Sequence, residues 1–338
     1  MHDIDDAKLI DIRTRGGVDV EGGPQAFAPV DLASTDLRAV IDGAELIIVC
    51  SGGNTQETVA RTLAPLLRDG QLILLIQGNT GGALVVRRAL REAGCRAAVD
   101  VAEMDNYPYS VSRLAPARLR PIVAKRWLQI AAFPGSRGPA VFARLSRLFP
   151  QAVAARDVLH TGLTNMNSIL HVANCVANAA SIEAGKSYKF YAEGVTPAVA
   201  RLYEAIDSER LAVAAAFEAA VPSLADWWEL AYGVREATLC ESAQRLTFDA
   251  MGPYQATGTP KSLDHKFIAE DVPTGLSPLR ALARAARVGT PTLDALLVIV
   301  DRMTGKTFEQ EGRTLERLGL SGMNAAGIRK TVQDGFPC

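Results

Sequence analysis

Short apolar runs alternate with helix-patterned segments along the first half of the chain. The apolar runs cover residues 46–50, 71–77 and 96–101, while residues 56–67 and 83–93 repeat apolar positions three and four apart. Continuous apolar strands joined by helices are typical of a parallel sheet covered on both faces. The pattern predicts a doubly wound α/β domain that binds ligands beyond the carboxyl ends of its strands.

Helical patterns fill the second half. Thr196 and Thr290 each precede a proline, the usual order of a capping residue and the first helical position. Before them, residues 120–132 carry two alternating runs, which predict an antiparallel pair closing the sheet. We expect an α/β domain over residues 1–155 and an all-helical domain over 156–338, sharing a tight interface.

The segment from His160 to Glu183 is predicted to be a buried helix at the domain junction, carrying one polar stripe. Four residues spaced i, i+4, i+7 and i+11 fall within an arc of roughly 60°: Asn167, His171, Asn174 and Asn178. Buried amides and imidazoles are costly without partners, so we expect the stripe to face a cleft. A stripe facing solvent is the alternative, although charged residues usually fill such a face. His160 itself is predicted to be a structural interdomain residue.

His171 is the strongest candidate for chemistry, because imidazole moves protons near neutral pH. Such a histidine is commonly oriented by a carboxylate. Asp271 offers one, in the turn-prone segment KFIAEDVPTG, where Lys266 could hold a substrate carboxylate. Arg113 could hold a second carboxylate. The other interpretations are a satisfied core histidine and a solvated acidic turn.

Glycine-rich loops follow the first two apolar runs. Ser51 and Gly52 begin one loop, and Gly78, Gly81 and Gly82 belong to the other. Glycine lets the backbone approach a ligand closely, and the following helix is expected to present free N–H groups to anions. Any strand-to-helix turn also needs glycine, so each loop alone is weak evidence for a binding site.

A dinucleotide fold normally begins with a strand, a GxGxxG turn and a helix, followed by an acid that binds the ribose. No GxGxxG precedes the first strand here. Instead the chain opens at MHDID, which looks like the end of a second strand carrying that acid, Asp3 or Asp5. We therefore expect the first strand and its phosphate loop to lie upstream of residue 1, or to have been lost.

The composition argues against several classes of function. The 338 residues are 48% hydrophobic and 22% charged, with a net charge of −1 that offers no field for nucleic acid or an anionic membrane. The best candidate for a membrane span, residues 295–300, is far below the ~20 apolar residues that a span needs. The acidic N-terminus is unlike a signal peptide. The cysteines are dispersed, as expected for reduced thiols in a cytoplasmic protein: Cys50, Cys95, Cys175, Cys240 and Cys338. Four histidines argue against a His-rich metal site, so no metal is expected.

Six separated segments carry a resemblance that spans essentially the whole chain. In order they are HDIDDAKLIDIRTRGG, QGNTGGALVVRRALREAG, VLHTGLTNMNSILH, YAEGVTPAV, KFIAEDVPTGLSPL and EGRTLERLGLSGMNAAGIRK. On these segments the chain resembles the opine (octopine/nopaline-type) dehydrogenases. The resemblance implies a Rossmann-like N-terminal domain, here lacking its first strand, and a helical domain of the 6-phosphogluconate dehydrogenase C-terminal type.

The resemblance also implies a reaction: NAD(P)H-dependent reductive condensation of an α-keto acid with the amine of an amino acid. The family's catalytic histidine falls on His171 and its partner aspartate on Asp271. Its ribose-binding acid falls on Asp3, which favours NAD over NADP, and its nicotinamide-side loop on Gly78–Gly82. The sequence leaves open whether the chain assembles as a homodimer.

Two alternatives also stay open. A ketopantoate reductase or β-hydroxyacid dehydrogenase would use a lysine on the corresponding helix, but this segment carries His171 and has no lysine before Lys186. The other alternative is a truncated, non-catalytic paralogue.

Overall fold

The computed structural model describes residues 1–22, 26–249, 252, 254–255 and 257–337. Cys338 therefore lies outside the described residues. The strands within them are β1 (Gly17–Val20), β2 (Phe27–Pro29), β3 (Leu46–Val49), β4 (Leu72–Leu75), β5 (Asp100–Met104), β6 (Tyr109–Ala115), β7 (Arg118–Ala124), β8 (Leu128–Phe133) and β9 (Ala152–Ala154).

The main sheet has the strand order β3-β4-β5-β8-β9. β3, β4 and β5 are parallel, and Leu72 pairs with Leu46 on one side and Asp100 on the other. All four residues of β4 are buried, as expected for a strand covered on both faces. The parallel α/β architecture predicted from the apolar runs is therefore confirmed.

Two strand predictions were wrong in detail. The third strand was predicted at 96–101 but lies at Asp100–Met104, because the Ala98 N–H bonds the Asp69 side chain in a turn. The predicted antiparallel pair within 120–132 does not form. β8 instead pairs antiparallel with β5, and β7 joins the smaller sheet β2-β1-β7-β6. Between β7 and β8, Lys125 bonds the carbonyls of the 107–108 segment, so the two strands leave in different directions.

Helices follow the strands and make up the chain beyond residue 157. They are α1 (Ile10–Arg15), α2 (Leu37–Ile41), α3 (Gln56–Leu63), α4 (Gly82–Glu92), α5 (Gly138–Leu145), α6 (Val158–Leu163), α7 (Met166–Ala177), α8 (Ala179–Glu183), α9 (Pro197–Ala216), α10 (Leu224–Tyr232), α11 (Leu239–Phe248), α12 (Lys266–Ala269), α13 (Ser277–Ala286), α14 (Pro291–Thr304), α15 (Phe308–Glu311) and α16 (Ala325–Asp334). Short 3-10 turns cover Asp6–Lys8, Gly53–Thr55 and Gly135–Arg137, and a π-helical turn covers Val272–Leu276. Among the described helices, none combines the length and apolar character that a bilayer crossing requires.

The junction segment is three helices rather than one. α6 ends at Leu163, α7 begins at Met166 after the non-helical Asn165, and Asn178 separates α7 from α8. Asparagine is a poor helix former, and at the second break the Asn178 side chain donates to the Asn174 carbonyl at 3.0 Å. At the first break the Asn165 side chain instead accepts from Gln77 in the loop after β4 at 3.4 Å. The break before α7 lets that helix start afresh beside the sheet.

One apolar cluster joins the sheet to the helical half. It runs from Ile41 and Leu75 in the α/β part to Leu293 and Val332 in the helices. Thr80 in the loop after β4 donates its hydroxyl proton to the Gly162 carbonyl in α6 at 2.8 Å. The two halves therefore share a continuous core, as expected for a tight interface.

Candidate active site

His171 and Asp271 meet across the cleft between the halves. Nδ1 of His171, on α7, lies 2.6 Å from Oδ2 of Asp271, which sits between α12 and the π-helical turn. An ionised carboxylate can only accept a hydrogen bond, so Nδ1 is the donor in this contact, and the neutral form of such an imidazole has a lone pair on Nε2. The side chains are only 12% and 9% exposed, so little solvent competes with the contact.

Aromatic rings fix the plane of the imidazole. Phe267 stacks on His171 with ring centroids 3.8 Å apart and an 18° angle between the rings. Phe190 and Tyr191 lie on other sides at 6.4 and 6.3 Å. Burial raises the pKa of Asp271, and the adjacent imidazole opposes that rise. The imidazole is thus held by one carboxylate and an apolar wall.

The cleft beside this pair is small and polar. Its volume is about 60 Å³, room for several water-sized groups. Its lining residues come from both halves: Gln77, Asn79, Tyr107, Asn167, His171, Lys266, Phe267, Glu270 and Asp271. Asn167 donates to Gln77 Oε1 at 3.2 Å. Of the residues proposed from sequence, the structure thus brings together His171, Asp271, Lys266 and Asn167.

The other two asparagines of the stripe do not line the cleft. Asn174 is fully buried and donates to the Phe190 carbonyl at 2.8 Å. Asn178 donates to the Gly194 carbonyl at 3.1 Å and to the Asn174 side chain at 2.7 Å. Their amides are therefore engaged in holding the segment that supplies Phe190 and Tyr191, and a direct contact with substrate has no support from their position.

Arg113 also lies away from the cleft. It is exposed on β6, in the smaller sheet, six extended residues beyond Tyr107. At about 3.3 Å per residue this is roughly 20 Å of chain. Asp3 is partly exposed near the N-terminus, where its carboxylate accepts the Asp5 N–H at 2.9 Å and lies 3.3 Å from Lys8 Nζ.

The helix N-termini after the glycine-rich loops are not free for anions. The Gly53 N–H donates to Glu270 Oε1 at 2.8 Å, and the Ala83 N–H, at the start of α4, donates to Glu103 Oε2 at 2.7 Å. Two carboxylates of the chain occupy the positions that an anionic ligand would take. The expectation of free N–H groups was therefore wrong at both of these amides.

The glycines leave room for neighbouring side chains. A Cβ on Gly78 would lie 2.6 Å from Glu103, and one on Gly82 would lie 2.6 Å from Gln56 Oε1. Gly81 adopts φ +79°, and a Cβ there would lie 2.5 Å from Leu318. A Cβ on Gly52 would lie 3.3 Å from Glu270. Packing within the chain is therefore sufficient to require these glycines.

A buried arginine, missed by sequence reasoning, ties both loops to the helical half. Arg313 donates to the carbonyls of Gly78 at 2.9 Å, Thr80 at 2.9 Å and Gly53 at 2.7 Å, and to Gln56 Oε1 at 2.8 Å. Burial lowers its pKa to about 10, although Glu103 and Glu270 oppose this shift. Nothing in its spacing pointed to this role.

Glu103 was also missed. It is fully buried in β5, where it accepts the Thr161 hydroxyl at 2.6 Å, and burial raises its pKa to about 7. An acid inside the apolar run VAEM was the available signal. His160, by contrast, is buried with Nδ1 3.1 Å from Asp157 Oδ1, in keeping with the structural role predicted for it.

Comparisons with known proteins agree with this architecture. A family model described as NAD/NADP octopine/nopaline dehydrogenase, alpha-helical domain, matches residues 154–304. An opine dehydrogenase of Arthrobacter sp. (strain 1C) is 36% identical over 98% of this chain and 91% of its own length. A solved octopine dehydrogenase with NADH and L-arginine superposes with a TM-score of 0.76 at 18% identity, covering 96% of this chain and 89% of that one.

A ketopantoate reductase of Ralstonia eutropha JMP134 is more distant, with a TM-score of 0.54 at 18% identity over 88% of this chain and 89% of that one. The comparisons therefore favour the opine dehydrogenase family over the ketopantoate reductase alternative. The chain belongs to the opine dehydrogenase family, whose members are NAD(P)-dependent oxidoreductases acting on CH–NH bonds.

Proposed function

We propose that this chain condenses an α-keto acid with the amine of an amino acid and reduces the resulting imine with NADH or NADPH. The keto carbonyl and the amine lose water to form C=N. The imine nitrogen takes up one proton from solvent, and a nicotinamide cofactor, when bound, would supply a hydride to the imine carbon, giving a secondary amine. The single observation that carries this proposal is the His171–Asp271 contact at 2.6 Å beside a polar cleft.

His171 is assigned the proton transfers. Its Nε2 faces no hydrogen-bond partner within the described residues and can take a proton from the attacking amine and return one to the departing water. Asp271 accepts the Nδ1–H and stabilises the imidazolium that forms in between. Phe267 keeps the ring in one plane throughout these transfers.

The substrates carry carboxylates, so the cleft needs cationic and polar donors. Lys266 is exposed at the cleft and is assigned to one carboxylate, with Asn167 as a neutral donor or acceptor beside it. Arg113, Asn174 and Asn178 are not assigned to direct contact, because of the positions described above.

We assign the nicotinamide cofactor to the carboxyl end of β3. Ser51, the second residue after that strand, has a buried hydroxyl without a hydrogen-bond partner among the described residues, and Gly52 follows it. Ligands bind at such strand ends in doubly wound sheets. We assign Ser51 and Gly52 to the cofactor, Gly78, Gly81 and Gly82 to the loop beside the nicotinamide, and Asp3 to the ribose hydroxyls. Residues 1–155 form the cofactor domain and residues 156–338 the catalytic domain in this proposal.

The test is NADH oxidation with pyruvate, measured with and without a panel of amino acids. We expect oxidation to require both substrates. His171→Ala should lower kcat by roughly 100-fold or more, because a positioned acid–base group contributes about that much, while the variant still folds cooperatively at a lower Tm. Added imidazole should restore part of the rate as a control for the lost group.

Two outcomes contradict the proposal in different ways. Reduction of the keto acid without any amine would favour the ketopantoate reductase alternative. Near-normal turnover by the His171→Ala variant would remove the imidazole from the mechanism.

A further inference from the structure

A second cavity lies away from the cleft, between α13 and the segment that follows α15. It measures about 240 Å³, whereas one water needs roughly 10–15 Å³ by the same measure. Arg280 and Arg284 line one side, and Glu309, Arg313 and Thr314 line the other. No residue lines both this cavity and the cleft beside His171.

Arg280 is a buried cation without a hydrogen bond. Its side chain is only 9% exposed, and its nearest carboxylate oxygen, Oε2 of Glu309, lies 3.6 Å away. Within the described residues no acceptor comes closer to its guanidinium as a hydrogen-bond partner. Guanidinium groups this deeply buried normally satisfy several of their five N–H donors. The cavity is therefore lined by a charged donor group that has no hydrogen-bond acceptor among the described residues.

The cavity is lined by more arginine side chains than carboxylates. Glu309 serves two arginines, because its Oε1 lies 2.6 Å from Arg284 while its Oε2 is the distant neighbour of Arg280. The hydrogen bond from Arg284, followed by the charge of Arg280, lowers the pKa of Glu309, so this carboxylate is ionised. The guanidinium of Arg313 is turned toward the loop carbonyls. One carboxylate thus faces two guanidinium groups, and the cavity carries a net positive charge.

We propose that this cavity binds a phosphate group. Arg280 and Arg284 are one helical turn apart on α13, so their planar guanidinium groups can donate together to one tetrahedral oxyanion. Glu309 is 51% exposed on the four-residue helix α15, and it competes with the incoming anion for the same donors. Its release to solvent when phosphate binds would leave both arginines fully paired.

The test is calorimetric titration of the full chain with inorganic phosphate, at ionic strength held constant with chloride. We expect saturable binding to the unaltered chain. Arg280→Gln should weaken it by roughly tenfold or more, since a charge-assisted hydrogen bond is lost. Glu309→Gln should tighten it several-fold, because an internal competitor is removed. Arg245→Gln is the matched control, since Arg245 is 51% exposed and paired with Glu236 and Asp249 elsewhere.

Opposite signs for two neighbouring substitutions distinguish a site from general destabilisation, which would weaken binding in both. Should Arg280→Gln fail to fold, the exposed Glu309 position still decides the question. No saturable heat in either the unaltered chain or the Glu309→Gln variant would overturn the proposal. Binding that Arg280→Gln leaves unchanged would do so as well, because the phosphate would then be bound at another place, such as the cofactor region.

Discussion

Two histidine–aspartate pairs occur in neighbouring helices, and they differ in what surrounds them. His171 and Asp271 border the cleft, whereas His160 and Asp157 are buried at the start of the helical half. Asp157 also accepts the Leu159 N–H as the cap of α6, so its role is in the architecture. The same chemical pairing is therefore proposed to serve catalysis beside the cleft at His171, whereas it stabilises the packing of α6 at His160.

This contrast supplies a matched experiment at the scale of one residue. Asp271→Asn keeps a hydrogen-bond acceptor for Nδ1–H but removes the negative charge, so we expect kcat to fall by roughly 100-fold or more while Tm changes little. Asp157→Asn makes the same change beside His160 and should lower Tm with kcat retained. Steady-state kinetics and melting curves of both variants give the answer. Equal kinetic losses in the two variants would show that charge at the cleft has no special role.

Sequence reasoning identified residues whose side chains have distinctive chemistry. It missed residues whose roles depend on contacts between parts of the chain that are distant in sequence. The helical spacing of the stripe correctly placed Asn167 and His171 together, one turn apart on α7. The same spacing wrongly predicted that Asn174 and Asn178 face the cleft, because helical periodicity does not specify where a neighbouring segment packs against the helix. That segment packs on the second half of α7, and its carbonyls accept hydrogen bonds from both asparagine side chains.

At the scale of the elements, the two loops after β3 and β4 are held in place by hydrogen bonds from one residue, Arg313. Arg313→Lys preserves the charge but cannot reach four acceptors with one ammonium group. We expect a lower Tm and a several-fold rise in KM for the nicotinamide cofactor, because the loops beside it lose their fixed position. Cofactor binding measured by fluorescence titration, without turnover, should weaken in parallel.

Arg210 provides the control for this substitution. It is also buried, and it bonds Asp207 and the carbonyls of Leu163 and Pro222, all within the helical half. Arg210→Lys should lower Tm to a similar extent without affecting KM. If both variants lose only stability, Arg313 has no positioning role at the cleft.

The start of a helix was predicted correctly where a side chain forms the capping hydrogen bond that the sequence indicates. Thr196 accepts the Val199 N–H at the start of α9, as its position before a proline predicted. Thr290 also precedes its helix, α14, but its side chain makes no capping hydrogen bond within the described residues, so that part of the prediction was wrong. The third strand was misplaced and the break before α7 was missed, because side-chain contacts with other segments occur at both places. The Asp69 side chain, for example, holds residue 98 in a turn that the apolar run concealed.

At the scale of the whole molecule, Glu103 makes stability depend on pH. The unfolded glutamate loses its proton near pH 4.5, whereas burial keeps the folded one protonated up to about pH 7. The folded state thus binds more protons between these values, and the free energy of unfolding falls as pH rises through this window. Asp105, buried with its pKa raised to about 7, acts in the same direction.

Glu103→Gln should remove the first of these contributions. We expect the loss of stability between pH 4.5 and 7 to shrink by up to about 3 kcal/mol, measured by urea unfolding at several pH values. Glu57→Gln, on the surface of α3, should leave the pH dependence unchanged. A slope that Glu103→Gln does not alter would mean that the buried carboxylate ionises as freely in the folded protein as in the unfolded chain.

The hydrogen bond from Arg313 to Gly78 spans 235 residues of sequence. A ribosome makes the chain from its N-terminus, so the loops after β3 and β4 are synthesised long before the guanidinium that bonds their carbonyls. Until residue 313 has left the exit tunnel, the nascent sheet has neither this donor nor the helices that cover it. The loops of the α/β half are thus expected to reach their final geometry only after residue 313 has been synthesised and has folded back onto them.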